Sequence, residues 1–494
     1  MPSSLELLPE AEKFLQDSKK VLIGGDWVES STGKTFPSYD PGNGEVLTEV
    51  PECGADDVDR AVKVAREVVD TRRWWGRQPS ERRDILLAIA SSVEANKMEL
   101  AQLETLDQGK PLFMAMAEMD LVVNTFRYFA GWVDKFYGET NPTDSNMFVY
   151  SLREPVGVTA GIIPWNYPLI MLAYKVAPAL AFGNAMILKP AEQTPLTALR
   201  FGELALEAGL PPGVLQILTG AAETGKALVA HPGIDKISFT GSTEVGKLIM
   251  KGAADSLKRV TLELGGKSPN IVFSDADIKP AANFSMYGVF LNSGQTCTAG
   301  TRLLVERSIH DEFLEAVSKA AEKMTLGHGL SSETRMGPVV SQEQLDRVLG
   351  YIETGTKEGA SVVSGGARAD GDLASGYFVQ PTIFAGVTSD MRIAQEEIFG
   401  PVLAVIPVDD IDEAIRIGND TEYGLAAAVW TKDLKKAHKV AAGLKAGTVW
   451  VNTYGLFDPA VSFGGYKASG FGRELGKHAI EAYTQTKSVW VNLA

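Results

Sequence analysis

Cysteine is the scarcest reactive residue in this chain of 494 residues, which has two, Cys53 and Cys297. Two thiols so far apart exclude a disulfide framework and a four-thiolate zinc site, and they point to a reducing compartment. Histidine is nearly as rare, and none of the five (His231, His310, His328, His438 and His478) falls in a recognisable motif. No Cys–His protease signature is visible. Basic residues are outnumbered, 47 against 62, for a formal charge of −15. A nucleic-acid binder needs a basic face, so that partner is excluded, while local basic pockets for a small anionic cofactor are not. The N-terminus, MPSSLELLPEAEKFLQDSKK, lacks the apolar core of a secretory leader, and a cytoplasmic location is expected. The longest apolar stretch, residues 169–188, carries Lys175, Pro178 and Asn184. It therefore predicts a buried helix and strand rather than a membrane span.

What is present is an ordinary globular mixture, 45% apolar and 22% charged, in a chain long enough for two or three domains. From about residue 156 apolar strands alternate with helical segments: VGVTAGIIP, AMILKP, VLQILTG, KISFTG and RVTLELGG are the strands of a first series. A second series follows Gly266, with NIVFSDAD, RLLVE, LAVIPV, LAAAVWT and GTVWVN. Strict alternation means parallel strands with crossover helices, so an α/β fold of two doubly wound sheets is expected, with a cleft between them. The last residues, AYTQTKSVWVNLA, read as a strand without a neighbour of its own, an edge that is usually covered or donated to another subunit.

Two segments, GAAETGKA (220–227) and GSTEVGKL (241–248), approach a triphosphate loop but lack the hydroxyl after the lysine. The G-x-G-x-x-G fingerprint is missing. What remains is KISFTG turning through STEVG into a helix, which suits a pyrophosphate and equally suits an ordinary turn capped by Ser242. KPAE (189–192) sets a lysine and a glutamate at a strand's carboxyl end, where both can reach ribose hydroxyls. Glu192 there would repel a 2′-phosphate, which favours NAD over NADP.

Cys297 sits among Ser293, Gly294, Thr296, Thr298, Ala299 and Gly300, small residues that leave room for a substrate to reach the sulfur. By itself that pattern fits a packing thiol as well as a nucleophile. Three other segments bear on the choice. PWNYP (164–168) places Asn166 at a strand end, where its amide can serve an oxyanion. ELGGKSPN (263–270) places Glu263 at the end of an apolar strand, where burial raises a carboxyl pKa toward that of a general base. EEIFGP (396–401) sets two acids before a turn.

With YDPGNGEVL (39–47), PWNYP, KPAE, FTGSTEVG, ELGGKSP, GQTC, EEIFGP and FGGYKASGFGRELG (463–476) in this order, the chain resembles the NAD(P)-dependent aldehyde dehydrogenase superfamily nearly end to end. The presence of Glu263, and its spacing from Cys297, resemble the hydrolytic members. Relatives that pass the acyl group to coenzyme A often lack that glutamate. A protein that kept the fold and lost the activity is the other alternative. Intact Cys297, Glu263 and Asn166 argue against it.

The resemblance implies a role for each matching residue. Cys297 is the nucleophile, Asn166 the oxyanion donor and Glu263 the base, and Lys175 with Glu474 forms a proton relay, which accounts for a lysine in an apolar helix. Lys189 and Glu192 hold the adenosine ribose. Gly241, Ser242 and Gly246 form the pyrophosphate turn. Ile162, Trp165 and Leu264 line the cofactor site, and Glu397 with Phe399 positions the nicotinamide ribose and ring. Tyr167, Tyr174, Leu291, Thr296, Thr298, Phe457 and Phe463 surround the substrate, their rings suiting a medium-sized aliphatic, aromatic or cationic aldehyde. The implied chemistry is thiolate attack, hydride loss to NAD and hydrolysis of the thioester, and it requires no metal. The implied domains are an NAD-binding domain (1–133 and 155–263), a catalytic domain (264–479) and a small β oligomerisation extension (134–154 and 480–494), which implies a homodimer or homotetramer.

Overall fold

The alternating segments resolve into two mostly parallel sheets in the structure, a computed structural model that describes residues 6–494. In the first, five parallel strands run in the spatial order Arg259–Glu263, Lys236–Thr240, Val158–Ile162, Ala185–Lys189 and Leu215–Ile217. The hairpin of Val21–Ile23 and Asp26–Val28 closes one edge, and the two-residue strand Gly470–Phe471 pairs antiparallel with Leu262 and Glu263 at the other. Val158–Ile162 and Ala185–Lys189 are buried throughout. That is the reason they read as unbroken apolar runs, since helices cover both faces of a parallel sheet.

The second sheet orders Ser361–Ser364, Thr382–Ala385, Val402–Val408, Arg302–Glu306, Pro269–Val272, Ala426–Trp430 and Thr448–Val451. Only the first of these runs antiparallel to its neighbour. Separate hydrophobic clusters pack its two faces, one around Ile271, Leu304 and Ile406, the other around Val272, Leu303 and Val405. Neighbouring residues of one strand thus feed opposite cores, as a pleated strand requires.

Five described helices lie ahead of the alternation read from the sequence: Pro9–Gln16, Ala55–Asp70, Pro79–Ala95, Lys97–Gln108 and Leu112–Ala130. Lys97–Gln108 buries polar as well as apolar side chains, so it carries no stripe to read. Its acids find partners outside the helix, Glu99 in Arg200 at 2.7 Å, Glu104 in Lys110 at 3.1 Å and Asp107 Oδ2 in the Leu196 N–H at 3.0 Å, while Asp107 Oδ1 is buried without one. The stretch 169–188 forms the buried helix Pro168–Ala181 and the strand Ala185–Lys189. No described helix is long and apolar enough to cross a membrane.

The terminal strand Thr484–Asn492 pairs antiparallel with Met147–Pro155, from Thr484↔Pro155 to Asn492↔Met147, and Thr140–Asn141 extends this small sheet. The strand that lacked a sequence neighbour therefore finds one more than 300 residues earlier in the chain. A chain truncated after Tyr483 loses this whole ladder and leaves Met147–Pro155 as an open edge. It should aggregate on size-exclusion chromatography, whereas a monodisperse truncated protein with the parent's elution volume would contradict the pairing.

Candidate active site

Parallel α/β sheets place binding sites beyond the carboxyl ends of their strands. Here Ile162, Lys189, Thr240 and Glu263 end four adjacent strands, and the turns after them carry Trp165, Asn166, Gly241, Ser242 and Leu264. A cavity of about 820 Å³ opens at this level, and both Cys297 and Glu263 line it. All seven residues expected around the substrate also line it.

Cys297 follows a turn that L-residues rarely adopt. Asn292, Ser293 and Gly294 have φ of 51°, 55° and 71°, three consecutive left-handed residues. Each such non-glycine residue costs about 1–3 kcal/mol, so the surroundings must hold the turn in place. They do so through buried side chains. Asn292 Nδ2 donates to the Asn166 carbonyl at 3.0 Å, and Ser293 Oγ donates to that of Gly337 at 2.7 Å. Gln295 Oε1 accepts from the Val340 N–H at 2.8 Å. Tyr454, whose hydroxyl donates to the Thr298 carbonyl at 2.6 Å, holds the other side of the cysteine. A Cβ on Gly266 would collide with the Cys297 carbonyl, so only glycine fits beneath this cysteine.

Asn166 is buried, and its Nδ2 donates to the Gln295 carbonyl at 2.8 Å. The amide thus rests against the backbone two residues ahead of Cys297, with its second hydrogen available. Burial, with the Glu397 and Glu263 charges, pushes the Cys297 thiol well up, partly offset by the N–H groups of Cys297 and Thr298. A thiol raised in this way needs a base to become a thiolate. Cys53 is pushed up to about 12, chiefly by burial and then by Asp57, and is packed in the core around the first sheet.

Glu263 is the most exceptional group in the cavity. Both of its carboxyl oxygens are buried without a hydrogen-bond partner. Burial raises its pKa well above the usual carboxylate range; Glu474 adds to the rise, while Lys175, Arg473 and the nearby Gly465 N–H oppose it. A Cβ at Gly464 would come within 2.7 Å of Glu263 Oε1, so glycine there keeps the space around the carboxyl clear. Lys175 is fully buried beneath it, paired with Glu474 and donating to Thr240 Oγ1 at 2.7 Å.

The residues expected to hold a dinucleotide ring the same strand ends. Ser242 caps helix Thr243–Ala254, its Oγ accepting from the Val245 N–H at 3.2 Å, which leaves the N–H groups ahead of Val245 unpaired within the helix. A Cβ on Gly246 would come within 2.6 Å of Leu264, so glycine lets helix and turn touch. Lys189 Nζ lies 3.6 Å from Glu192, which borders a second cavity of about 560 Å³. Glu397 accepts from the Gly266 N–H at 2.9 Å and is raised to about 7 by burial, against the pull of that N–H and of Lys267 and Arg347. Phe399 has φ of 61°, and its ring meets Trp165 edge-on at 5.2 Å. A cationic and anionic ribose pair, a free helix N-terminus and an aromatic wall together fit a nicotinamide dinucleotide.

Sequence reasoning missed much of the cavity wall. Met114, Ala117, Glu118 and Leu121 share one face of helix Leu112–Ala130. Tyr167, Ile170, Met171 and Tyr174 do the same at helix Pro168–Ala181, as do Phe284, Tyr287, Gly288 and Leu291 at Ile278–Phe290. Each set has the spacing i, i+3, i+4, i+7, so the signal was present as helical periodicity. Only Tyr167, Tyr174 and Leu291 were singled out from it. Glu118, whose Oε2 takes a 2.5 Å hydrogen bond from Lys110, is the one carboxylate in those stripes.

The state of Glu263 has a measurable consequence. Unfolded glutamate titrates at about 4.3. Between that value and its raised native pKa, Glu263 binds more protons in the native state, so the native state loses stability as pH rises through this window. Glu263→Gln removes the penalty. Its Tm advantage over the parent should grow from acid toward neutral pH and then level off, and an advantage that shrinks with rising pH would contradict the dry carboxyl.

Residues 27–489 match the model of the aldehyde dehydrogenase family. The chain is 49% identical over 487 residues to aldehyde dehydrogenase family 2 member B4, mitochondrial, of Arabidopsis thaliana, covering 97% of this chain and 90% of the relative. The solved NAD+ complex of aldehyde dehydrogenase from Bacillus cereus superposes with a TM-score of 0.98 at 48% identity, over 100% of both chains. A betaine aldehyde dehydrogenase from Staphylococcus aureus, in complex with NAD+, gives a TM-score of 0.96 at 41% identity, over 100% of this chain and 98% of that one. This chain is an oxidoreductase that uses NAD(P), and it belongs to the aldehyde dehydrogenase family.

Proposed function

We propose that the protein oxidises aldehydes to carboxylic acids with NAD, through a covalent thioester on Cys297 that is hydrolysed by water activated at Glu263. The observation that carries this reading is the meeting of Cys297 and an unpartnered Glu263 carboxyl in one apolar cavity. Glu263, free of hydrogen bonds, takes the thiol proton and later a proton from water. The sulfur adds to the aldehyde carbon, and the resulting oxyanion is stabilised by the Asn166 amide and the Cys297 N–H, each such donor contributing about 3 kcal/mol. Bound NAD supplies the hydride acceptor, held by Lys189 and Glu192 at the adenosine ribose, by the turn of Gly241, Ser242 and Gly246, and by Glu397 and Phe399 at the nicotinamide end. Ile162, Trp165 and Leu264 complete its contacts. Lys175 and Glu474 carry the proton away from Glu263.

The substrate side favours breadth. Tyr167, Tyr174, Phe457 and Phe463 supply flat apolar walls, and Leu291, Thr296 and Thr298 narrow the approach to the sulfur. Aliphatic, aromatic and cationic aldehydes of medium size suit them. Residues 1–133 and 155–263 serve the cofactor, residues 264–479 the chemistry, and residues 134–154 with 480–494 assembly into a homodimer or homotetramer in the cytoplasm.

NADH formation at 340 nm tests this directly. Cys297→Ala should abolish it, and Glu263→Gln should lower kcat by about 10²–10⁴-fold. Parent kcat should rise with pH as the raised Glu263 carboxyl ionises. Full activity in Cys297→Ala, or a flat pH profile, would overturn the mechanism. The parent should also show a higher kcat/KM with NAD than with NADP, and Glu192→Gln should narrow that gap. Equal kcat/KM for both cofactors in the parent would contradict the role given to Glu192.

A further inference from the structure

Strands Lys236–Thr240 and Arg259–Glu263 read Lys-Ile-Ser-Phe-Thr and Arg-Val-Thr-Leu-Glu, alternating polar and apolar at every position. Interior strands of a parallel sheet covered by helices ordinarily read as continuous apolar runs. The two strands pair in the register Lys236↔Arg259, Ser238↔Thr261 and Thr240↔Glu263. Their polar side chains therefore stack in three ranks on one face, while Ile237, Phe239 and Leu262 enter the apolar core on the other. At about 3.3 Å per residue, this file spans ~13 Å from the catalytic end of the sheet to its amino end.

Hydrogen bonds join the ranks. Lys236 Nζ donates to Thr261 Oγ1 at 2.8 Å, Thr261 Oγ1 to Ser238 Oγ at 3.1 Å, and Ser238 Oγ to Glu474 Oε1 at 3.4 Å. Lys175 Nζ adds a contact to Ser238 Oγ at 3.3 Å. At the catalytic end the file stops at three carboxyl oxygens without partners, Glu474 Oε2 and both oxygens of Glu263. At the other end, fully buried Lys236 faces Arg259, Lys175 and Glu474 and lies 5.0 Å from the centre of the Tyr483 ring. Burial first, then the Lys175 charge, lowers Lys236 to about 7, with Glu474 opposing and Arg259 assisting. Exposed Arg259 donates to the Thr484 carbonyl at 2.6 Å, which brings the file to the surface beside the terminal strand.

A lysine buried on a single hydrogen bond destabilises a fold, so packing alone gives no reason for it. We propose that this file is the exit path for the proton collected by Glu263, with Ser238, Thr261 and Lys236 as its outer carriers beyond the Lys175–Glu474 pair. The inference rests on the general-base reading of Glu263. Each turnover leaves one proton on that carboxyl. It passes to Glu474; the Ser238 and Thr261 hydroxyls, which donate toward Glu474 in the resting file, turn about their C–O bonds, so that Ser238 accepts the proton as it gives its own to Thr261, and Thr261 in turn protonates the neutral amine of Lys236. Lys236 releases the proton toward Arg259 and solvent. One proton moves from end to end, and nothing is oxidised or reduced.

Stopped-flow NADH formation, started at a pH where Glu263 is already ionised, tests the path in the full-length protein, because the first hydride transfer then precedes any need for export. Thr261→Val, nearly isosteric, should keep the amplitude and rate of the first-turnover burst. Its steady-state rate should fall at least tenfold, with a larger solvent deuterium isotope effect. Thr261→Ser should restore the steady state, and Lys236→Met should behave like Thr261→Val. A steady-state rate in Thr261→Val within twofold of the parent would overturn the path while leaving the general base standing. A burst that falls in proportion with the steady state would mean a structural role for Thr261 and would also overturn it. A parent that makes no NADH from any aldehyde would overturn both readings.

Discussion

A carboxyl group kept dry at the end of a buried strand is the constraint around which the rest of this molecule is arranged. Glu263 ends the strand Arg259–Glu263 with both oxygens unpartnered, in a cavity whose walls are largely apolar. Burying an ionised carboxylate without hydrogen bonds costs several kcal/mol, and proteins avoid that cost by keeping such a group protonated. The fold tolerates Glu263 because Lys175 and Arg473 stand near enough to oppose the rise in its pKa. In the proposed reaction the same dryness leaves Glu263 unsolvated when water or the Cys297 thiol is to be deprotonated.

Topology brings these groups together. Five parallel strands deliver their carboxyl ends to one level, so Ile162, Lys189, Thr240 and Glu263 become neighbours although they are scattered over a hundred residues of sequence. Cys297 arrives from the second sheet's side, after a left-handed turn that buried amides keep in one conformation. The catalytic cavity is therefore a junction between two sheets, and three helices wall it with stripes of the same periodicity.

Much of this was legible in the sequence, for identifiable reasons. Strands buried on both faces declare themselves as apolar runs, and motifs such as PWNYP and ELGGKSP sit where those runs end. The lysine at position 175 stood out because a cation is rare in an apolar helix, and its partner Glu474 proved to lie against it, nearly 300 residues away. Other features were opaque. Lys97–Gln108 is buried on every side from Glu99 onward, polar residues included, so no periodicity marks it. The cavity-facing stripes of Leu112–Ala130 and Ile278–Phe290 were readable as helical spacing, but spacing does not say which neighbour a stripe faces. The left-handed turn at Asn292 and Ser293 was invisible, because neither residue demands that conformation; tertiary hydrogen bonds impose it. The polar alternation in Lys236–Thr240 and Arg259–Glu263 was plain on the page and acquires meaning only from the register that aligns its ranks.

The protonation state of Glu263 is the point on which the account turns, and infrared difference spectroscopy reads it directly. Spectra of the parent minus Glu263→Gln, recorded across a pH titration, isolate the carbonyl stretch of that one carboxyl. The account predicts a protonated-acid band that persists well above about 4.3, the ordinary glutamate value. A band already lost in mildly acid solution would mean a solvated, ordinary glutamate and would contradict the account.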